Sequence, residues 1–299
     1  MIHVPVLKKE ILQYLDPKPN ENFIDATVGE MGHTAAILEK NKPEGKVLGI
    51  EIDPELYQEL KSQIPNRLIL VNDSYINLKK IVKKHNFGPV QGILFDLGLS
   101  SWHLEKSKRG FSFKREESLD MRYQIKTQNS KLKTQNLTAE SIVNRYPERE
   151  ITRVLREYGE ERFARKIAEK ITEARKIKPL KTTFQLVEII QKAVPFWYRR
   201  RKIHFATRTF QALRIAVNDE LNNLKKILPQ AIEILTRGGR IVIISFHSLE
   251  DRIVKNFFRE NVRENLIKIL TKKPIRPTKT EMKLNPRSRS AKLRAAVKF

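Results

Sequence analysis

In the first hundred residues, short apolar segments alternate with segments of helical periodicity. The apolar segments are 23–26, 47–53, 68–71 and 92–97. The helical segments between them are 33–39, 54–63 and 76–84. Strands that alternate with helices predict a parallel sheet, and nearly continuous apolar strands predict helices on both of its faces. The sequence therefore predicts a doubly wound, Rossmann-like α/β fold.

This alternation stops at about residue 105, and up to residue 206 we find no buried strand in the sequence. Charged helical stretches, at 151–155 and 161–175, take its place. The segment 123–137 is polar and contains Lys-Thr-Gln-Asn twice, which predicts a mobile loop. We therefore predict a mostly helical insertion.

The α/β pattern returns after the insertion. Apolar residues at 210, 213, 217, 221, 224 and 228 predict one long helix. Gly238-Gly239 is predicted to end a following helix at 228–235. The remaining predicted elements are a strand at 240–246, a helix at 249–261 and a closing strand at 291–299. One domain is thus expected from 1–104 and 207–299, with the insertion at 105–206.

The charge balance points to a polyanionic partner. The chain has 59 Lys and Arg against 34 Asp and Glu, a net charge of +25. Phosphate neutralisation by such residues is the usual source of nucleic-acid affinity. A solvated Lys-rich surface of the thermophile type is the alternative, but it predicts a matching excess of Glu, which this chain lacks.

The basic residues also cluster beside aromatic residues. Arg199–Lys202 follows Trp197 and Tyr198, and a second cluster lies at 272–294. Basic runs with aromatic neighbours suit single-stranded RNA, through phosphate contacts and base stacking. A solvated basic face is possible for either cluster alone and less so for both together.

The sequence also excludes several classes of site. It contains no cysteine, which rules out disulfides, thiolate nucleophiles and cysteine-based zinc sites. We see no signal peptide at the N-terminus and no apolar run of membrane-spanning length. A cytoplasmic protein is the expectation.

Ligands of open α/β sheets bind beyond the carboxyl ends of the strands. The first strand runs into the loop Asp25-Ala-Thr-Val-Gly-Glu-Met-Gly-His33, whose glycines allow close approach of a ligand. The loop lacks a complete Gly-x-Gly-x-x-Gly, so a dinucleotide site is not indicated. A purely structural strand-to-helix turn explains this loop equally well.

Polar residues follow the second and third strands. Glu51 is placed to accept hydrogen bonds from the hydroxyls of a ribose. Asp53 precedes Pro54 and is predicted to cap the next helix. Tyr75 could lie against an adenine ring or a sulfonium cation, although a lone tyrosine more often packs in a core.

The fourth and fifth strands end in further polar groups. Asp96 could orient an amine, accept its proton or hold an ammonium group, and a buried carboxylate without such a role would be costly. Phe246 and His247 are predicted to face the same cleft and to contact a substrate base. Ser248 is predicted to cap the helix that follows, with Asp251 at its third position.

Several collinear blocks resemble the bacterial 16S ribosomal RNA (cytosine-N4)-methyltransferase family, RsmH (MraW). The blocks are His3–Leu7, Asp25–His33, Asp96–Ser101, Arg109–Phe113, Leu119–Arg122, Tyr158–Phe163, Thr207–Arg214, Ser245–Arg252 and Asn285–Arg289. The resemblance implies a class I methyltransferase fold and methyl transfer from S-adenosylmethionine to the exocyclic N4 of a cytidine in the decoding region. It also implies an assembled or late-assembling small ribosomal subunit as the target.

The family's cofactor positions fall on seven residues of this chain. They are Met31, Gly32, His33, Glu51, Tyr75, Asp96 and His103. Three of them depart from the family's usual residues: Met31 replaces a glycine, Glu51 an aspartate and His103 a glutamine. Glutamate preserves the ribose chemistry, whereas Met31 adds bulk to a close-approach turn. No metal is expected, because the sulfonium is already activated.

The resemblance leads to a hypothesis for the chemistry, and two other functions remain as alternatives. The segment 96–101 and the Phe246-His247 cleft would hold the cytosine, and Asp96 or a backbone carbonyl would accept the amine hydrogen bond. A DNA amino-methyltransferase usually carries Asp/Asn-Pro-Pro-Tyr/Phe where this chain has Asp-Leu-Gly-Leu. A non-catalytic RNA-binding or assembly factor, which would not bind the cofactor, is the second rival. The sequence leaves the oligomeric state open, a homodimer included.

Overall fold

The computed structural model describes residues 5–125 and 137–299. The chain forms two compact units, the first from Met1–Ser100 and Leu221–Phe299, the second from Ser101–Glu220. The predicted loop at 123–137 and the block His3–Leu7 fall partly outside the described residues.

The described residues contain helices and strands in the following chain order. The helices are α1 Lys8–Leu15, α2 Gly32–Lys40, α3 Pro54–Lys61, α4 Leu78–Lys84, α5 Ser101–Glu105, α6 Ala139–Arg145, α7 Glu148–Gly159, α8 Ala164–Ile177, α9 Thr183–Ala193, α10 Phe196–Arg199, α11 Thr207–Asn218, α12 Glu220–Ile234, α13 Ser248–Arg263 and α14 Lys279–Leu284. The strands are β1 Phe23–Asp25, β2 Val47–Glu51, β3 Leu68–Asn72, β4 Val90–Asp96, β5 Leu235–Ser245, β6 Ile267–Ile269 and β7 Lys292–Lys298. Short 3₁₀ helices lie at Tyr75–Asn77 and Pro286–Ser290.

The first unit is built on a seven-stranded sheet with the order β3-β2-β1-β4-β5-β7-β6. Strands β1 to β5 are parallel, β7 is antiparallel to β5, and β6 is antiparallel to β7. The predicted class I methyltransferase fold is confirmed, including the closing strand. The three-residue edge strand β6 was not predicted.

Both faces of the sheet are covered, which explains the nearly continuous apolar strands. Successive residues of a strand point to opposite faces. Ile24 and Leu48 accordingly join one buried cluster, whereas their neighbours Phe23 and Val47 join the other. The polar residues at the carboxyl ends of β1, β2 and β4 are therefore held by strands that are packed in an apolar core.

The second unit is mostly helical in its described residues, apart from irregular segments such as 106–125. Its helices bury one face each, as shown by Ile151, Val154 and Leu155 of α7. Apart from the isolated bridge between Ser118 and Thr182, its described residues form no strand pairing. The predicted helical character of the insertion is confirmed for these residues.

Two predictions for the chain after the insertion are wrong. The long helix predicted over 210–228 is broken at Asp219, whose φ of 50° lies in the left-handed region and separates α11 from α12. Gly238-Gly239 does not end a helix, because β5 already begins at Leu235. Gly238 has a φ of 80°, and the pairing of β4 with β5 shifts its register between Val90 and Gly92. The two glycines thus lie at an irregularity within β5.

Across the described part of the chain, we find no helix with both the length and the apolar character needed to span a membrane.

Candidate active site

The loop after β1 is fixed by a buried carboxylate. Asp25 is almost fully buried and accepts hydrogen bonds from the Thr34 hydroxyl over 2.7 Å and from the Thr27 N–H over 3.2 Å. Burial raises the pKa of Asp25, and the hydrogen bond from Thr34 acts against that rise. Asp25 therefore ties the end of the strand to the first turn of α2, which is a structural role.

The same loop turns through left-handed backbone at two positions. Gly29 has a φ of 52°, and Met31, the residue before α2, has a φ of 62°. Glycine adopts this region without strain, whereas a residue with a Cβ does so at a cost. A glycine at position 31 would adopt this turn without that cost, and this chain keeps the turn with a methionine.

Glu51, at the end of β2, closes against this loop. Its carboxylate accepts hydrogen bonds from the N–H of Gly29 over 3.1 Å and from the N–H of Asp53 over 2.8 Å. Burial raises the pKa of Glu51 to about 8, and the two N–H donors oppose that rise. A carboxylate so placed joins the ends of β1 and β2.

Asp53 caps α3, as predicted. Its side chain accepts hydrogen bonds from the N–H groups of Glu55 and Leu56, and Pro54 occupies the first helical position. Such caps satisfy otherwise orphaned backbone donors. The Asp53 carboxylate is thus used in capping the helix. Glu51 is therefore the carboxylate at this strand end that faces the loop.

Asp96, at the end of β4, lies beside His33 at the start of α2. The Nε2 atom of His33 is 3.5 Å from Oδ2 of Asp96. The N–H of Asp96 donates to the Thr27 hydroxyl over 2.7 Å. The ends of β1 and β4 are therefore joined, and the predicted residues Asp25, His33, Glu51 and Asp96 share one edge of the sheet.

Several buried polar atoms at this edge lack a hydrogen-bond partner. They are both ring nitrogens of His33, Oδ1 of Asp96 and Oγ of Ser245. An unsatisfied buried polar atom is costly, and such atoms in a native structure require an explanation. A bound ligand with donors and acceptors of its own would satisfy them, so these residues fit a small polar ligand.

Phe246 contacts the segment after β4. A Cβ added to Gly98 would lie 2.6 Å from the Phe246 ring. The backbone of the segment 96–101 therefore runs directly against this ring because residue 98 has no side chain. Phe246 and Asp96 thus border the same part of the sheet edge, as predicted.

The cap of α13 differs from the prediction. The N-cap is His247, not Ser248: Nδ1 of His247 accepts a hydrogen bond from the N–H of Glu250 over 3.4 Å. The carboxylate of Glu250 accepts in return from the N–H groups of Phe246 and His247. The capping box is therefore one residue earlier in the chain than predicted, and Glu250, which sequence reasoning missed, holds its second half.

Tyr75 opens the 3₁₀ helix after β3. Its ring meets the ring of Phe95 edge to face, with centroids 6.1 Å apart. Tyr75 is half-buried and packs against the core cluster that contains Phe95. Packing, the ordinary role of such a tyrosine, is therefore observed, and one part of the side chain stays accessible.

His103 belongs to the second unit, on α5. Its ring is buried and makes edge-to-face contacts with the rings of Trp102, Phe111 and Tyr123, at centroid distances from 5.1 to 5.4 Å. Arg109 lies over the Trp102 ring at 5.4 Å. Within its unit, His103 is thus part of an aromatic cluster.

The chain resembles known proteins over its whole length. Residues 1–299 match the family described as the MraW methylase family. The "Ribosomal RNA small subunit methyltransferase H" of Halothermothrix orenii is 46% identical over 311 residues, which cover 98% of this chain and 97% of that protein. The protein of the same name from Thermotoga neapolitana is 47% identical and covers 98% of this chain and 95% of its own length.

Solved structures also resemble this one. A crystal structure described as an rRNA methylase from Streptococcus thermophilus matches with a TM-score of 0.43 and 11% identity, and covers 100% of this chain and 99% of that chain.

Proposed function

The chain belongs to the MraW methylase family, and from this premise we propose that it transfers a methyl group from S-adenosylmethionine to the exocyclic N4 of a cytidine in the decoding region of 16S rRNA. Curated relatives over nearly its full length are small-subunit ribosomal RNA methyltransferases. It is an enzyme of that class, with S-adenosylmethionine as its methyl donor and rRNA as its substrate. The N4 atom and the decoding region are the finer part of the proposal.

The observation that most supports this site is that buried polar atoms of His33 and Asp96, at the carboxyl edge of the sheet, have no hydrogen-bond partner. Their buried, unpartnered atoms lie beside the loop at Gly29 and the carboxylate of Glu51. Ligands of doubly wound sheets bind at this edge. These residues would hold S-adenosylmethionine, which supplies an activated methyl group when bound.

Each proposed contact follows from the chemistry of its residue. In the free protein, Glu51 accepts a hydrogen bond from the Gly29 N–H. When the cofactor binds, hydrogen bonds from the ribose hydroxyls would replace this one. Met31, Gly32 and His33 border the methionine end through the backbone at the start of α2. Tyr75 presents its accessible part to the adenine. His103 is assigned to the cofactor by the family resemblance alone.

Asp96 is the proposed acceptor for the substrate amine. The N4 lone pair of cytosine is delocalised into the ring, so the amine is a weak nucleophile that must be oriented and relieved of a proton as the new bond forms. The Asp96 side chain is 23% exposed, and its Oδ1 has no partner. It can therefore receive the N–H of an incoming base.

Phe246 and His247 complete the proposed base site. The Phe246 ring lies against Gly98, two residues beyond Asp96. A base reaches such a pocket only after it leaves its stack. The Phe246 ring offers a stacking surface, and His247, although its Nδ1 caps α13, keeps a buried Nε2 close to Glu250. His247 is the proposed second contact to the base.

We assign RNA recognition to the insertion, by the surface around Trp197. Trp197 is 50% exposed, and the guanidinium groups of Arg162 and Arg201 lie 5.6 and 5.9 Å from its ring. Exposed aromatic rings among arginines bind unstacked bases and phosphates. The assembled or late-assembling small subunit is the proposed form of the substrate, and a homodimer is one form that the enzyme could take on it.

Mass spectrometry of 16S rRNA tests the proposal. Small subunits from cells that lack this activity are incubated with the protein and methyl-labelled S-adenosylmethionine, and the rRNA is then digested. We expect one labelled methyl group on the base of a decoding-region cytidine, at N4. A label on the ribose, on C5, on another nucleotide or on DNA alone would contradict the proposal.

A further inference from the structure

A second concave site lies at the far edge of the sheet. A pocket of about 590 Å³ is bordered by the C-terminal half of α13, by β6 and by the loop 271–274. It belongs entirely to the first unit, and it shares no lining residue with the candidate active site. Its volume falls in the range of ordinary ligand pockets.

The floor of this pocket is apolar. Lys255, Phe258, Arg259 and Val262 follow one another at the spacing of one helix face, and all of them line the pocket. Phe258 and Ile267 close the bottom of the pocket and are almost completely buried. The accessible apolar surface belongs to Val262 and Phe299, which are 38% and 55% exposed. A flat apolar group could lie against these two side chains.

The walls are strongly cationic. Five lining residues carry a positive charge and form no ion pair with any described residue: Lys255, Arg259, Lys268, Lys272 and Lys273. A sixth, Arg294, is neutralised by Asp251 over 2.7 Å. No aspartate or glutamate is among the lining residues that the structure describes. Uncompensated charge of this density around an apolar floor predicts a ligand with both phosphates and an apolar ring.

The pocket extends along β6 from the edge of the sheet where Asp96 lies to the opposite edge, where β7 ends beside Phe299. Strand β6 is antiparallel to β7, which is antiparallel to β5, so β6 and β5 run in the same direction. The loop 271–274 therefore leaves β6 at the edge where β4 ends. β6 is three strands from β4 in the sheet, a separation of about 15 Å. One extended polynucleotide could span both sites.

We propose that this pocket, which we call the β6 pocket, binds a single-stranded segment of the RNA substrate several nucleotides away from the methylated base. Its lysines would contact phosphates, and a base would lie against Val262 and Phe299. The proposal rests on the proposed function. An anionic membrane fits less well, because a flat surface would not fill a concave pocket.

Two variants with equal charge change test the β6 pocket. The pocket variant is Lys255→Glu/Lys268→Glu/Lys272→Glu. The control variant, Lys61→Glu/Lys83→Glu/Lys84→Glu, changes exposed lysines on α3 and α4, away from the pocket. Binding of a decoding-region RNA fragment is measured by fluorescence anisotropy at several salt concentrations, without methyl transfer. Circular dichroism checks that both variants fold.

We expect the pocket variant to bind RNA about tenfold to a hundredfold more weakly at about 0.1 M salt, and its log–log salt slope to fall by about 2 to 3. The control variant should lose much less affinity. Phe299→Ala should weaken binding without changing the salt slope, because it removes an apolar contact. A pocket variant that binds RNA as well as the control, or that loses only affinity for anionic phospholipid vesicles, would overturn the proposal.

This binding assay separates the two claims. If wild-type protein binds RNA through the pocket but transfers no methyl group to rRNA, the proposed function fails and the β6 pocket stands as an RNA site. If methyl transfer occurs and both triple variants bind RNA alike, the β6 pocket fails and the proposed function stands.

Discussion

The N–H of Gly29 donates a hydrogen bond to the carboxylate of Glu51 over 3.1 Å, so the loop after β1 is held by the residue that ends β2. The two residues are 22 positions apart in the chain and meet because β1 and β2 are parallel neighbours. This contact makes Glu51 both a structural clamp and the proposed ribose acceptor. Its protonation should therefore affect stability and cofactor affinity together.

Stability should fall as the pH rises through the range set by Glu51. Burial raises the pKa of Glu51 from 4.5 to about 8. Between these values the folded protein keeps a proton that the unfolded chain has released, so its contribution is complete below 4.5 and lost as the pH approaches 8. We expect this to lower the free energy of unfolding by about 2 to 4 kcal/mol across the range. Glu51→Gln should remove this component in urea denaturation at a series of pH values, and an unchanged pH dependence would contradict the assignment.

Affinity for S-adenosylmethionine should rise over the same range. Ribose hydroxyls donate hydrogen bonds and favour the ionised carboxylate, which the free protein forms only near pH 8. Calorimetric titration should give a Kd that decreases with pH in the wild type. In Glu51→Gln the Kd should be larger and nearly independent of pH. A wild-type Kd that stays constant with pH would show that Glu51 does not contact the ribose.

Met31 should carry a conformational cost that glycine lacks. Met31→Ala and Met31→Gly remove nearly the same packing, but only alanine keeps a Cβ at the φ of 62°. We expect the glycine variant to be more stable than the alanine variant by about 0.5 to 1 kcal/mol, the reverse of their usual order in helices. Thermal or urea denaturation of the pair measures this. Equal stabilities would mean that the turn relaxes.

The fold was largely predictable because each buried strand is a short, continuous apolar segment of the sequence. The apolar segments around Ile24, Leu48 and Ile93 are strands buried on both faces, and the sequence shows each of them directly. The edge strand β6 was missed because three residues carry no periodicity. Asp219, which breaks the predicted long helix, also left no signal, since the apolar spacing continues across it.

The candidate site was predictable in its composition and less so in its contacts. Strand order places Asp25, Glu51 and Asp96 at one edge, so their grouping followed from the alternation of elements. The Glu51 contact to Gly29 and the His33 contact to Asp96 depend on register and side-chain packing, which sequence spacing does not encode. The cap of α13 was misplaced because serine is a far commoner N-cap than histidine.

Gly98 should be required for the position of Phe246. A Cβ at residue 98 would lie 2.6 Å from the Phe246 ring, whereas one at Gly88 would meet nothing within 4 Å. We expect Gly98→Ala to displace the ring and slow methyl transfer by about 10²-fold, with little change in the Kd for S-adenosylmethionine. Gly88→Ala is the matched control. If both variants transfer at the wild-type rate, Phe246 has no part in placing the base.

Asp96 is proposed to accept the amine of the target cytidine, and single-turnover methyl transfer tests this role most directly. Asp96→Asn keeps the shape of the side chain, and Asp16→Asn, on a partly exposed residue outside the candidate site, is the control. With S-adenosylmethionine and small subunits both saturating, we predict that Asp96→Asn folds and transfers about 10²- to 10⁴-fold more slowly than the control. Transfer by Asp96→Asn at the wild-type rate would show that Asp96 does not accept the amine.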